Sequence, residues 1–178
     1  MSDQPLPSPA EFPRRCVTDG VADTRALGAR VAGRLRGGDV LLLHGDLGAG
    51  KTSLVQGICA ALGVADEVVS PTFTLVHRYA SDPPIYHLDF YRLDAGADLG
   101  DVGVEAILDE VDAGEAVLVV EWPAPIRPLV RRCLEMLAVM GPGPEQRVWH
   151  LRGVPELPSG WDDLAGPAAA TGEEAPPC

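Results

Sequence analysis

The octapeptide Gly45-Asp46-Leu47-Gly48-Ala49-Gly50-Lys51-Thr52 fits G-x-x-x-x-G-K-[ST] at every fixed position. Residues of these types at this spacing hold phosphates. Glycines let consecutive backbone N–H groups curl toward phosphate oxygens. The N-terminus of a following helix adds positive dipole. Lys51 is placed to reach the outer phosphates, and the Thr52 hydroxyl to ligate Mg²⁺. Lys51 is the only lysine, the other thirteen of the 14 basic residues being arginines. A compact ammonium suits a crowded phosphate site as a point charge, where a planar guanidinium does not. A chance glycine turn with an exposed lysine is the competing interpretation, and the flanking sequence argues against it.

Further acids and hydroxyls could complete the site. Asp89 sits toward the end of the β-rich run 85–91, where it suits the Walker-B role of holding a water on Mg²⁺. Glu121 stands where the apolar run 116–120 stops, followed by Trp122 and Pro123. Ligands of open α/β sheets bind at the carboxyl ends of strands, so the P-loop, Asp89 and Glu121 have neighbouring addresses. A carboxylate at an exposed strand end is the plainer alternative for Glu121. The stretch Ser70-Pro71-Thr72-Phe73-Thr74 carries three hydroxyls. It is either a turn with solvated hydroxyls or a switch-like segment whose hydroxyls meet Mg²⁺ or the terminal phosphate. Tyr86, Phe90 and Tyr91 read as core and strand residues, and His87 as a structural histidine.

These side chains need elements to hold them. The run 40–43 predicts a buried strand before the P-loop. Leu54, Val55, Ile58, Ala61 and Leu62 recur at helical spacing after it, with Gly63 as the stop. Upstream, residues 16–17 predict an edge strand. Asp23 or Thr24 then caps a helix carrying Leu27, Val31, Ala32 and Leu35, ended by Gly37 and Gly38. Residues 75–79 predict a strand. Short helices follow over 98–110, with Leu99, Val102, Ala106 and Ile107 inward. Two antiparallel strands over 134–140 and 147–151 turn through Gly141-Pro142-Gly143-Pro144. The fold class is α/β, with a domain over 14–154. Residues 1–13 and the Pro/Gly/Ala-rich stretch 155–178 are expected to be disordered.

Composition narrows the function. A net charge of −12 argues against strong direct binding to a nucleic-acid backbone, which needs phosphates neutralised. Arg14-Arg15, and Arg127 with Arg131-Arg132, read as solvated surface charge, a partner-binding patch being the alternative. No apolar run approaches the ~20 residues of a membrane span. The first residues lack the basic and apolar regions of a signal peptide, so a cytoplasmic location is expected. Cys16, Cys59, Cys133 and Cys178 show no C-x-x-C pair, and reduced thiols are expected. Guanine-specific switches use N-K-x-D. This chain has no asparagine and its one lysine is occupied, so ATP is the nucleotide expected. A small-molecule kinase with Arg92 or Arg127 in a lid stays open. So does a nucleotide-dependent binding module.

The P-loop string, Ser70-Pro71-Thr72-Phe73-Thr74-Leu75, Tyr86-His87-Leu88-Asp89-Phe90-Tyr91-Arg92-Leu93 and Val120-Glu121-Trp122-Pro123, in this order and spacing, resemble the bacterial TsaE (YjeE) family over residues 17–151. The resemblance implies a three-layer P-loop NTPase-like domain, its central, mainly parallel sheet extended by antiparallel strands. It implies a Mg²⁺-dependent ATPase, slow alone, needed to make threonylcarbamoyladenosine beside the tRNA anticodon. TsaB- and TsaD-like proteins would be its partners, with tRNA met only indirectly. Nucleotide would be held by Gly45, Asp46, Leu47, Gly48, Ala49, Gly50, Lys51, Thr52 and Ser53. Asp89 and Glu121 would be the acids at the metal or attacking water, with Trp122 alongside. Ser70, Thr72 and Thr74 would form the switch-like loop. Val21 and Thr24 would lie near the base, and Gly143 near the nucleotide. Departures are Ser53 where threonine is common, Phe73 where tyrosine is common, and a longer tail.

Overall fold

The structure, a computed structural model, describes residues 6–161, 163–167 and 177–178. Its strands are β1 (Arg14–Thr18), β2 (Val40–Gly45), β3 (Val76–Tyr79), β4 (Ile85–Asp89), β5 (Val117–Glu121), β6 (Cys133–Met140), β7 (Arg147–Val154) and β8 (Gly166–Pro167). They form one sheet in the order β3-β4-β5-β2-β6-β7-β1-β8. The four central strands, β4, β5, β2 and β6, are parallel. β3 adds antiparallel at one side, and β7, β1 and β8 continue antiparallel at the other. Helices α1 (Val21–Ala32) and α2 (Lys51–Ala61) cover one face, and α3 (Val104–Asp112) covers the other. This is the three-layer α/β architecture expected.

Burial on both faces explains why the central strands read as unbroken apolar runs. Leu41, Leu43, Val117, Val119 and Met136 point to α1 and α2. Leu42, Leu118 and Val120 point to Ile107 and Val111 of α3. Alternate residues therefore belong to different cores, and Asp89 and Glu121 inherit the α1/α2 face by parity. The two helices on that face touch backbone to backbone. A Cβ on Gly28 would lie 2.4 Å from the Leu54 carbonyl oxygen, and one on Gly57 2.2 Å from that of Arg25. Only glycine permits this approach.

Several local expectations need correction. α1 begins at Val21, with Gly20 in the capping position rather than Asp23 or Thr24. The Asp23 carboxylate instead accepts the Asp19 N–H (3.1 Å) within the loop before the helix. α1 stops at Ala32, well before Gly37. In α3 the inward residues are Val104, Ile107 and Val111, while Ala106 is exposed. Ala61 is exposed too.

The two ends of the chain differ most from expectation. Ser8 and Glu11 form a reciprocal capping box around a 3-10 turn at Pro9–Glu11. Phe12 is buried behind that turn, under the Arg152 guanidinium at 4.6 Å. Past Pro155, Trp161, Leu164 and Ala165 join the core that includes α1. Arg30 of α1 and Arg34, just past its end, donate to the Asp163 carbonyl and carboxylate. β8 then pairs with β1. Two large apolar side chains suffice to seat a segment whose composition otherwise reads as structureless. Cys16 and Cys178 are joined in a disulfide, contrary to the expectation of four reduced thiols. Cys59 and Cys133 are free and buried. The remainder of the segments expected to be disordered, residues 1–5, 162 and 168–176, lies outside the described residues. Among the described residues no helix is long and apolar enough to cross a membrane.

Candidate active site

The P-loop leaves β2 at Gly45 and enters α2 at Lys51. The turn requires a left-handed residue at the helix entrance, and Gly50 supplies it with φ of +97°. Lys51 is buried. Its Nζ donates to the carbonyls of Gly45 (2.7 Å) and Asp46 (2.9 Å), so the ammonium braces the loop that it closes. It also lies 4.2 Å from the Trp122 ring centroid. Burial pushes the lysine below its ordinary value, and the charges of Glu121, Asp89 and Asp46 oppose that shift.

The two acids come from adjacent parallel strands and stand opposite one another, Asp89 pairing with Glu121 in the β4–β5 ladder. Asp89 accepts hydrogen bonds from the hydroxyls of Ser70 and Thr72, the latter at 2.8 Å. It also accepts the Tyr91 backbone N–H at 2.8 Å. Glu121 accepts the Thr52 hydroxyl (2.8 Å) and faces His87 Nε2 (3.1 Å). Thr52 therefore links the P-loop helix to the β5 acid directly. Both carboxylates are almost wholly buried, Asp89 at 2% and Glu121 at 3% exposure. Burial of a carboxyl group demands hydrogen-bond partners around it, and here those partners are mainly hydroxyls.

Two non-glycine residues adopt left-handed backbone beside these acids, Leu75 (φ +64°) and Trp122 (φ +56°). Bulky residues rarely do so without an external constraint. The Trp122 N–H is held by the Leu43 carbonyl at 3.2 Å, and its ring packs 5.1 Å from Tyr91. That bend turns the indole back over Lys51. Leu75 accepts the Asp89 N–H at 3.2 Å, tying the hydroxyl-rich loop to β4.

A cavity of about 270 Å³ opens between these groups. Leu47, Gly48, Gly50, Lys51, Thr52, Ser53, Ser70, Thr72, Asp89, Glu121 and Trp122 line it, with Tyr91, which the sequence reading assigned to the core. Gly45 and Asp46 contribute the carbonyls on Lys51, and buried Ala49 packs in the core behind the loop. Thr74 is exposed and does not line the cavity. Val21 is exposed on the first turn of α1. Thr24 is buried, its hydroxyl paired with that of Thr18 at 3.0 Å, and Trp149 donates to Thr18 behind it. Gly143 sits in the β6–β7 turn, off the cavity lining. From the end of that hairpin, Gln146 reaches Asp19 (2.8 Å) and Arg147 reaches the Gly48 carbonyl (3.3 Å). Residues missed from sequence are His87 and Tyr91. The signal was parity: each lies two positions from Asp89, and His87, within β4, shares its face.

The family model for "Threonylcarbamoyl adenosine biosynthesis protein TsaE" matches residues 18–142. The tRNA threonylcarbamoyladenosine biosynthesis protein TsaE of Mycobacterium leprae is 46% identical over 113 residues, covering 61% of this chain and 70% of that protein. Its counterpart in Treponema pallidum is 41% identical over 108 residues, covering 61% and 77%. Among solved structures, the crystal structure of Bacillus subtilis YdiB superposes with a TM-score of 0.65 at 28% identity, covering 84% of this chain and 89% of that one.

Proposed function

The chain belongs to the TsaE family and has its role in tRNA threonylcarbamoyladenosine biosynthesis, and from that premise we propose that it acts there as a Mg²⁺-dependent ATPase. One observation carries the proposal. Lys51, the Thr52 hydroxyl and the carboxylates of Asp89 and Glu121 line a single cavity at the carboxyl ends of three parallel strands. An all-oxygen set of one hydroxyl and two acids suits a hard divalent cation such as Mg²⁺. Thr52, Asp89 and Glu121 are the residues that would hold it. Bound there, the cation would neutralise charge on the phosphoryl group in transfer.

The chain's own groups supply the rest. Backbone N–H groups from residues 45–53 bind the phosphates. Lys51 exchanges its carbonyl partners for phosphate oxygens and stabilises charge that grows in the transition state. Glu121 or Asp89 orients the attacking water. Ser70 and Thr72 hold Asp89 and can sense whether the outer phosphate is present, which makes their loop the switch-like segment. TsaB- and TsaD-like partners dock on this nucleotide-gated surface and speed turnover, and they, rather than this acidic subunit, contact tRNA. The test is phosphate release from ATP by the purified chain, with and without that partner pair. Mg²⁺-dependent release that rises with the partners is expected. No release in their presence, or a phosphorylated small molecule in place of free phosphate, overturns the proposal.

A further inference from the structure

We infer that His87 is a positioning residue that fixes the Glu121 carboxylate for hydrolysis. The inference rests on the ATPase reading and names a part of the site that reading does not use. His87 lies in β4, fully buried, opposite Val119 and two positions before the Asp89–Glu121 pair on the same face. Its Nε2 is 3.1 Å from Glu121 Oε1, the same oxygen that accepts the Thr52 hydroxyl. A carboxylate only accepts, so Nε2 carries the proton in this contact. The other ring nitrogen, Nδ1, is buried and has no hydrogen-bond partner among the described residues. A side chain kept there only for packing would not leave a buried polar atom without a partner, beside the Tyr79 ring whose centroid is 6.3 Å away.

The geometry gives the two donors on Glu121 different jobs. Thr52 sits on the cavity wall, and its hydroxyl leaves Glu121 when it turns to a cation. His87 sits behind the acid, away from the cavity lining, and keeps its hold. Among the described residues no other side chain donates to this carboxylate. Without His87, Glu121 would lose its fixed orientation when the Thr52 hydroxyl is diverted.

The experiment compares full-length wild type, His87→Leu, His87→Gln and His87→Asn in Mg²⁺-ATP turnover with the partner pair. Binding of a fluorescent ADP and thermal midpoints are read on the same samples. Loss of an orienting partner lowers kcat about 10- to 100-fold in His87→Leu, with KM and ADP affinity within about twofold of wild type. A glutamine amide reaches the place of Nε2, so His87→Gln recovers to within about threefold of wild type. An asparagine amide reaches only that of Nδ1, so His87→Asn stays as slow as His87→Leu. In a Glu121→Gln background, His87→Leu costs nothing more, because its effect passes through the acid. Wild-type kcat in His87→Leu overturns the inference. So does failure of His87→Gln to recover, or an additive loss in the Glu121→Gln background. Should His87→Leu not fold, the glutamine and asparagine variants decide by the same criterion. A wild-type protein that releases no phosphate removes the ATPase reading itself. Wild-type release with indifferent His87 variants removes this inference alone.

Discussion

Two glutamates are buried in the same sheet and are held in opposite ways. Glu121 ends β5 on the face toward α1 and α2, and Glu135 lies in β6 on the other face, in register with Leu42. Glu135 is saturated with cations. Arg127 Nε donates to one oxygen at 2.6 Å, and Arg152 donates to the other at 2.7 and 3.0 Å. His44 Nε2 lies 3.3 Å away. Burial pushes this acid up, but hydrogen bonds and charge from the Arg152 guanidinium, with the His44 ring beside it, outweigh it and bring the acid down to about 2. Glu121 has no arginine among the described residues, only a hydroxyl and an imidazole. Guanidinium pairs are strong and fixed, so Glu135 is committed to the fold. A hydroxyl exchanges its partner readily, so Glu121 keeps its charge available for a cation or a water.

Substitutions at the two sites should separate activity from stability. Lys51→Ala removes the only cation of the P-loop, and phosphate release should fall below detection. Glu121→Gln keeps the shape and removes the charge. Turnover should fall by about 10²-fold or more, while the urea midpoint stays close to wild type, since no ion pair with arginine is broken. Glu135→Gln should do the reverse. Per-molecule turnover is retained, and stability falls by roughly 3 kcal/mol because two part-buried guanidinium groups lose their counter-charge. A Glu121→Gln protein that turns over normally but unfolds early would invert the comparison.

How far the sequence showed these two sites differs for the same physical reason. The P-loop, Asp89 and Glu121 are marked by contrast. Each is a charge or a glycine placed where an apolar run stops, and the parallel sheet lines those stops up. Glu135 sits inside an apolar run whose period promised only a strand. Its partner Arg152 lies opposite it in the β6–β7 hairpin, one residue past the strand read from sequence, and Arg127 lies in a 3-10 turn that no local pattern could place beside it. Long-range pairing also hid the Cys16–Cys178 bond, whose sequence separation of 162 carries no spacing signal. The helix starts went wrong for a local reason. Asp23 has the composition of a cap, but it satisfies the loop before α1, and Gly20 takes the capping position. The tail failed because composition counts residues equally, whereas Trp161 and Leu164 bury enough apolar area to seat their neighbours.

Acid sharpens the same contrast without a substitution. The folded value of Glu135 lies well below the ordinary carboxylate value of 4.5. Its contribution is therefore complete above about pH 4.5 and is lost as pH falls toward about 2. A drop from 4.5 to about 2 corresponds to about 3 kcal/mol at full strength. Solvent at the two part-exposed guanidiniums reduces it to about 2 kcal/mol. Urea titrations at pH 6 and pH 3 should show wild type losing more stability than Glu135→Gln by about 1 kcal/mol, a little over half of that contribution, because pH 3 still lies above the folded value. Equal losses in the two proteins would place the acid sensitivity elsewhere.

The smallest effect tests where the network ends. Arg152 is shared, its Nη1 reaching Glu11 at 2.7 Å while its other nitrogens serve Glu135. Glu11 belongs to the N-terminal 3-10 turn and its side chain is half exposed. Arg152 holds it below the ordinary carboxylate value, yet an exposed pair in water adds little to stability. Glu11→Gln should leave both the urea midpoint and the turnover of wild type unchanged. If the midpoint falls as far as in Glu135→Gln, the buried acid is not the centre of the network. The N-terminal turn, by fixing Arg152 over Phe12, would then be what holds that guanidinium on β6, and the stability assigned to Glu135 would belong to a segment whose composition reads as structureless.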